Sequence, residues 1–140
     1  MKRFLTFFEF FLCALALLAL LASFILPRFF EMGLERNEQM AQMTLKQIIS
    51  PALESFSADN KGTYPASEAS LVRSNPQYLK RYYNANTIQG YVYNLELSSV
   101  GYKIEAKPYR CGQKGSGRKL YTVTTGAIFN ETACNTQGVK

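Results

Sequence analysis

Residues 4–26 form an apolar run broken only by Thr6, Glu9 and Ser23, and the stretch from Phe10 to Leu26 carries no charge. At a rise of about 1.5 Å per residue, this run of 23 residues reaches roughly 34 Å as a helix, enough to cross the hydrocarbon of a bilayer. A signal peptide has a shorter apolar core and small residues at its cleavage site. Here the run is long and is followed by Pro27, Arg28, Phe29 and Phe30. The pattern predicts a retained single-span anchor. Lys2 and Arg3 stand before it, so the positive-inside bias places the N-terminus in the cytoplasm and the rest of the chain outside it. Glu9 is the anomaly, because a carboxylate in hydrocarbon is costly unless paired. Two readings stay open: it reaches the headgroups, Lys2, Arg3 or the terminal amine of its own chain, or it meets a charge on a neighbouring subunit.

What is missing narrows the function. The chain has no His and no Trp, one Asp (Asp59) and three Cys. Absence of His removes the commonest general base and metal ligand. One Asp argues against an oxygen-rich Ca²⁺ loop, and three Cys without His cannot complete a four-ligand zinc site. The glycines at 112, 115 and 117 lack phosphate-loop spacing. No cofactor is expected, and a binding, scaffold or assembly role is favoured over catalysis. Charge is uneven: residues 1–58 carry five basic and five acidic residues, and residues 59–140 carry eleven basic and five acidic, the whole net charge of +6. A basic surface of this kind serves solubility, or meets nucleic acid, anionic lipid or an acidic protein face.

Helical periodicity continues past Pro27. Ala41, Leu45, Ile48, Ile49, Ala52, Leu53 and Phe56 make one stripe, widened by Met40 and Met43. Glu31, Glu35, Glu38, Gln42 and Lys46 are expected to face away from it. Pro27 is a candidate kink and Pro51 a restart. Asn60 and Gly62 are expected to stop the helix in left-handed conformations. Residues 66–90 read as loop with a short helix near residues 67–73. Tyr91, Tyr93, Leu95 and Leu97 then alternate with polar residues, as do Tyr102, Ile104 and Ala106. Further strands fall at residues 119–123 and 127–129, and short connections make an antiparallel meander. The expected class is α+β: a long N-terminal helix, transmembrane in its first half and amphipathic in its second, packed on an antiparallel sheet of about four strands. Three segments follow: 1–28, 29–58 and 59–140.

In such a meander the second and fourth strands end at the same edge, which brings Cys111 and Cys134 together and predicts a disulfide in an oxidising compartment. The alternative is three free thiols in a reducing compartment. Cys13, inside the apolar run, reads as a small apolar residue.

A basic leader, an apolar helix with one early Glu, a Pro near the helix's end, the run Asp59-Asn60-Lys61-Gly62-Thr63-Tyr64-Pro65 and a small sheet together resemble the type IV pilin and type II secretion pseudopilin superfamily. Leu5 followed four places later by Glu9 is similar to the start of a mature pilin, so Phe4–Leu5 would be the processing site of a prepilin peptidase, with Phe4 where prepilins carry Gly. Glu9 to Pro27 is one residue longer than the usual spacing. Residues 109–130 contain no acid, unlike the Ca²⁺ loops of major pseudopilins. The resemblance implies a filament whose helices pack centrally, with Glu9 setting register against a neighbour's amine. The partners it implies are other pilin-like subunits and the inner membrane, with the sheet domain periplasmic or on the surface.

The second hypothesis is a membrane-tethered module for DNA or another polyanion. Its contacts would come from Arg110, Lys114, Arg118 and Lys119, and from the cluster Lys80, Arg81, Tyr82 and Tyr83. Nucleic acid is the less favoured partner, because the 110–119 loop is Gly-rich, is expected to be mobile, and offers only Tyr109 for stacking.

Overall fold

The computed structural model describes residues 2–134, with side chains from Phe11 onward. It divides into a first unit ending at Gly33 and a second beginning at Leu34. Helix α1 (Lys2–Met43) contains Pro27 and runs through it. Every described side chain from residue 11 to residue 33 is exposed.

In the second unit, α1 passes into a π-helical turn (Thr44–Ile49) and then α2 (Ser50–Asp59). The wide turn has a local cause. Pro51 has no N–H to give and its ring crowds the preceding turn. Immediately before it, the N–H of Ser50 bonds to the carbonyl of Leu45, five residues back. A π turn holds one residue more than an α turn, and this corrects the expected stripe. Ala41, Leu45, Ile49, Ala52 and Leu53 are buried, whereas Ile48 is turned out at 43% exposure and Met43 at 39%. Phe56 is partly buried against the core. Glu38, expected outside, is buried, and Leu34 joins the inner face. The stop also differs: Asn60 has φ −111°, while Lys61 and Gly62 take the left-handed conformations.

The sheet has five strands in the order β1-β2-β3-β4-β5, all antiparallel: β1 (Thr87–Ile88), β2 (Tyr91–Ser98), β3 (Gly101–Pro108), β4 (Lys119–Thr124) and β5 (Ile128–Ala133). Four of them match the expected meander, and β5 is longer than expected. The additional strand is β1, two residues from the stretch read as loop; such a pair is too short to show a period. The short helix α3 (Ala69–Val72) lies where one was expected. Register puts Tyr93 opposite Ala106, Leu95 opposite Ile104 and Ile104 opposite Val123. These side chains share one face, and the buried face of the helix covers it. Tyr91 stacks on Tyr121, and Tyr121 on Phe129, each with ring centres 5.8 Å apart. Rings with hydroxyls suit this core because their polar ends find partners: Tyr91 donates to the Lys119 carbonyl at 2.9 Å, and Tyr121 accepts from Gln42 at 3.2 Å. Burial is the main cause that raises the Tyr91 hydroxyl above its usual pKa.

Candidate functional site

The two units carry different chemistry. Through the first, Phe11, Leu18, Phe24, Phe29 and Phe30 are each more than 60% exposed, and they point to different sides of the helix. Ser23 returns its hydroxyl to the Ala19 carbonyl at 2.7 Å, so it adds no unmet polar group. Among the described residues this helix is long and apolar enough to cross a membrane. Phe4, Leu5 and Glu9 lie on α1, but their side chains are outside the described residues.

In the second unit, Cys111 and Cys134 are disulfide-bonded, with Cα atoms 5.9 Å apart. Cys111 follows β3 and Cys134 follows β5, so the meander edge does bring them together. The glycine loop between Arg110 and Arg118, expected to be mobile, is tied down. The N–H of Ser116 bonds to the Arg110 carbonyl at 2.7 Å, and that of Gly112 to the Gly117 carbonyl at 2.9 Å. Gly117 is required by packing: a Cβ there would overlap the ring and hydroxyl of Tyr91.

The four basic residues of this loop do not form one free anion surface. Arg118 is held by Glu38. Its backbone N–H and Nε–H donate to Oε1 at 2.8 and 2.9 Å, and a terminal N–H donates to Oε2 at 2.9 Å. This fork-to-fork pair fixes both the distance and the plane of the guanidinium. Hydrogen bonding to Arg118 is the main cause that holds the Glu38 carboxyl below its usual range, against burial, which pushes it up. Asn37, one residue earlier, donates to the Ser116 carbonyl at 3.0 Å. Lys119 pairs with Glu131 at 2.9 Å on the surface. Arg110 and Lys114 are exposed. Arg118, expected as a polyanion contact, is engaged in a structural joint between α1 and the disulfide loop.

No protein-family model matches the chain, and no curated protein or solved structure is significantly similar to it.

Two more carboxylates, passed over in the sequence, act as joints. Glu54 on α2 accepts from the Tyr102 hydroxyl at 2.7 Å, the Tyr64 hydroxyl at 2.9 Å and the Gly126 N–H at 3.0 Å. Tyr102 also meets the Ser50 hydroxyl at 3.0 Å. Burial is the first cause that pushes its own hydroxyl up to about 12. Glu68, which is buried, accepts the N–H groups of Tyr83 and Asn84. Each of these acids satisfies backbone or hydroxyl donors far away in sequence, a role that periodicity does not reveal.

The other basic cluster, Lys80, Arg81, Tyr82 and Tyr83, is divided by the fold. Tyr83 is buried at 3% exposure, and Lys80 and Arg81 are exposed at the lip of a groove against α2. The groove has a volume of about 690 Å³ and its floor includes Ile48, Pro51 and Ala52.

Proposed function

We propose that this chain is a pilin-like subunit of a type IV pilus or related secretion or uptake filament, or a membrane-resident component of its assembly, with no catalytic role. In this reading α1 anchors it in the inner membrane with the N-terminus in the cytoplasm, and the second unit lies in the periplasm or on the filament surface. The observation that carries the proposal is the unequal covering of one helical run. From Leu34 onward its inner face is buried against the chain's own sheet, whereas among the described residues the large apolar side chains between Phe11 and Met32 are exposed. Lipid covers such a helix while the chain is in the membrane, and helices of other subunits cover it in a filament. The placement of Glu9, Pro27 and the 59–65 run favours filament packing over a simple tether. The disulfide and the joints at Glu38, Glu54 and Glu68 fit a domain that keeps its shape outside the cell.

The test uses the full chain in membranes. Intact mass and the N-terminal residue are determined for membrane material and for sheared surface material. A chain beginning at Leu5 is a processed subunit; one beginning at Met1 is the membrane-resident component. Glu9→Ala is expected to leave insertion intact, since loss of a charge favours it, and to abolish incorporation into higher-order assemblies. Undiminished incorporation removes the register role of Glu9. A wild-type chain recovered only as a monomer removes the subunit reading altogether.

A further inference from the structure

The disulfide loop gathers cations and one aromatic ring on a short, fixed stretch of backbone. Five basic residues lie between Ala106 and Glu131, and no acid stands among them. Arg118 is held by Glu38 and Lys119 by Glu131. Lys107, Arg110 and Lys114 are exposed, and among the described residues none of the three is in an ion pair. Tyr109 is 66% exposed, whereas Tyr91, Tyr93, Tyr102 and Tyr121 of the sheet are buried. The backbone keeps these groups together. A Cβ on Gly115 would overlap the Arg110 carbonyl, so the chain beside Lys114 lies directly against Arg110. The disulfide at Cys111 and the bond from the Ser116 N–H to the Arg110 carbonyl hold the loop in that shape.

The loop is fastened to the start of the second unit. That unit begins at Leu34, and the loop is bound to Asn37 and Glu38. Asn37 follows Phe30, an exposed ring of the apolar stretch, by seven residues. Seven residues reach about 10 Å as helix and about 25 Å at most when fully extended. With the apolar stretch in a bilayer, the loop is therefore tethered within that distance of the level where apolar side chains end, and the headgroup layer lies at that level. The nearby charges of α1 cancel: Arg28 and Arg36 stand against Glu31 and Glu35. The net attraction toward an anionic surface comes from the loop. An amphipathic ring and long cationic side chains are the groups that suit the headgroup layer. One ring and three cations make a poor track for nucleic acid, which is held by a longer groove with several stacking platforms.

We propose that the disulfide loop is a binding site for anionic phospholipid headgroups, with Arg110 and Lys114 pairing with lipid phosphates and Tyr109 seated among the headgroups. Lys107, at the end of β3, adds attraction at longer range. The site rests on the membrane anchoring of α1 stated above. It gives the chain a second attachment to the bilayer, one that reads the charge of the lipid.

Full-length chain is reconstituted in lipid nanodiscs of phosphatidylcholine, alone or mixed with phosphatidylglycerol. Backbone hydrogen exchange of residues 109–117 is followed by mass spectrometry. Exchange is expected to be about tenfold slower or more with the anionic lipid, because two cations each gain on the order of fivefold at such a surface. Molar salt shortens the screening length to about 3 Å and removes the difference. Arg110→Gln/Lys114→Gln removes it too, with exchange in neutral lipid and the disulfide unchanged from the wild type. Equal exchange in the two lipids, from a chain inserted in both, overturns the headgroup site and leaves the anchor standing. A lipid difference that the double variant retains overturns the assignment to Arg110 and Lys114. Slower exchange with a DNA duplex, and none with anionic lipid, overturns the lipid site and gives the loop to nucleic acid. A chain that stays soluble without detergent or lipid overturns the anchor and the site together.

Discussion

Removing the guanidinium of Arg118 tests the joint between α1 and the disulfide loop. Glu38 has a side chain only 9% exposed, and among the described residues Arg118 donates three hydrogen bonds to it. Arg118→Ala leaves the carboxylate one backbone N–H and only the weaker attraction of Lys119. Breaking a buried ion pair from one side costs about 3–5 kcal/mol. The Arg118 side chain is 33% exposed, so solvent screening brings the expectation down to about 2–3 kcal/mol. For a unit of this size that lowers Tm by about 10 °C or more. Glu38→Gln keeps the shape but sets an amide N–H against a guanidinium N–H, and costs about 2 kcal/mol. The pH dependence has a defined sign. Glu38 is depressed in the fold relative to its ordinary value of 4.5. Its contribution is therefore complete above that value and is lost as pH falls below it toward the folded value. Thermal melts of the full chain, followed by tyrosine circular dichroism from pH 7 down to pH 3, check both points. An Arg118→Ala chain that melts with the wild type, or a Glu38→Gln chain that keeps the wild-type fall below 4.5, refutes the assignment of this pair as a joint.

Three further outcomes are expected. Cys111→Ser and Cys134→Ser should each cost about 3 kcal/mol, from a loop with a sequence separation of 23, and the double variant should be no worse than either, because one bond accounts for both; additive losses in denaturant titrations would show otherwise. The stabilising effect of neutral Tyr102 is complete below about pH 10 and is lost as pH rises to about 12. Tyr102→Phe is accordingly less stable at neutral pH, but its melts decline less steeply over that alkaline range. Gly117→Ala pushes a methyl group into Tyr91 and should cost about 1–3 kcal/mol, measured as a lower Tm with the disulfide intact; an unchanged Tm means that Tyr91 moves aside freely.

The sequence by itself determined what depends on local periodicity. A 23-residue apolar run has few structural outcomes, and the alternation around Tyr93 and Ile104 identifies two strands and the face they bury. Short connections dictate a meander, and a meander dictates that Cys111 and Cys134 meet. Only the tertiary structure decided the rest, because it depends on partners distant in sequence. Glu38 has the character of a solvated helical acid until Arg118, 80 residues later, supplies its countercharge and three donors. The same holds for Glu54 with Tyr102 and for Glu68 with Tyr83. Charge is read in a sequence as exposure, yet Glu38 and Glu68 are buried and Glu54 half-buried because donors converge on them. The outward turn of Ile48 has a similar origin: one residue accommodated in a π turn before Pro51 rotates the helix face, and a period of 3.6 cannot register that shift. The groove beside Lys80 and Arg81 exists only because that rotation and the folding of residues 77–83 occur together.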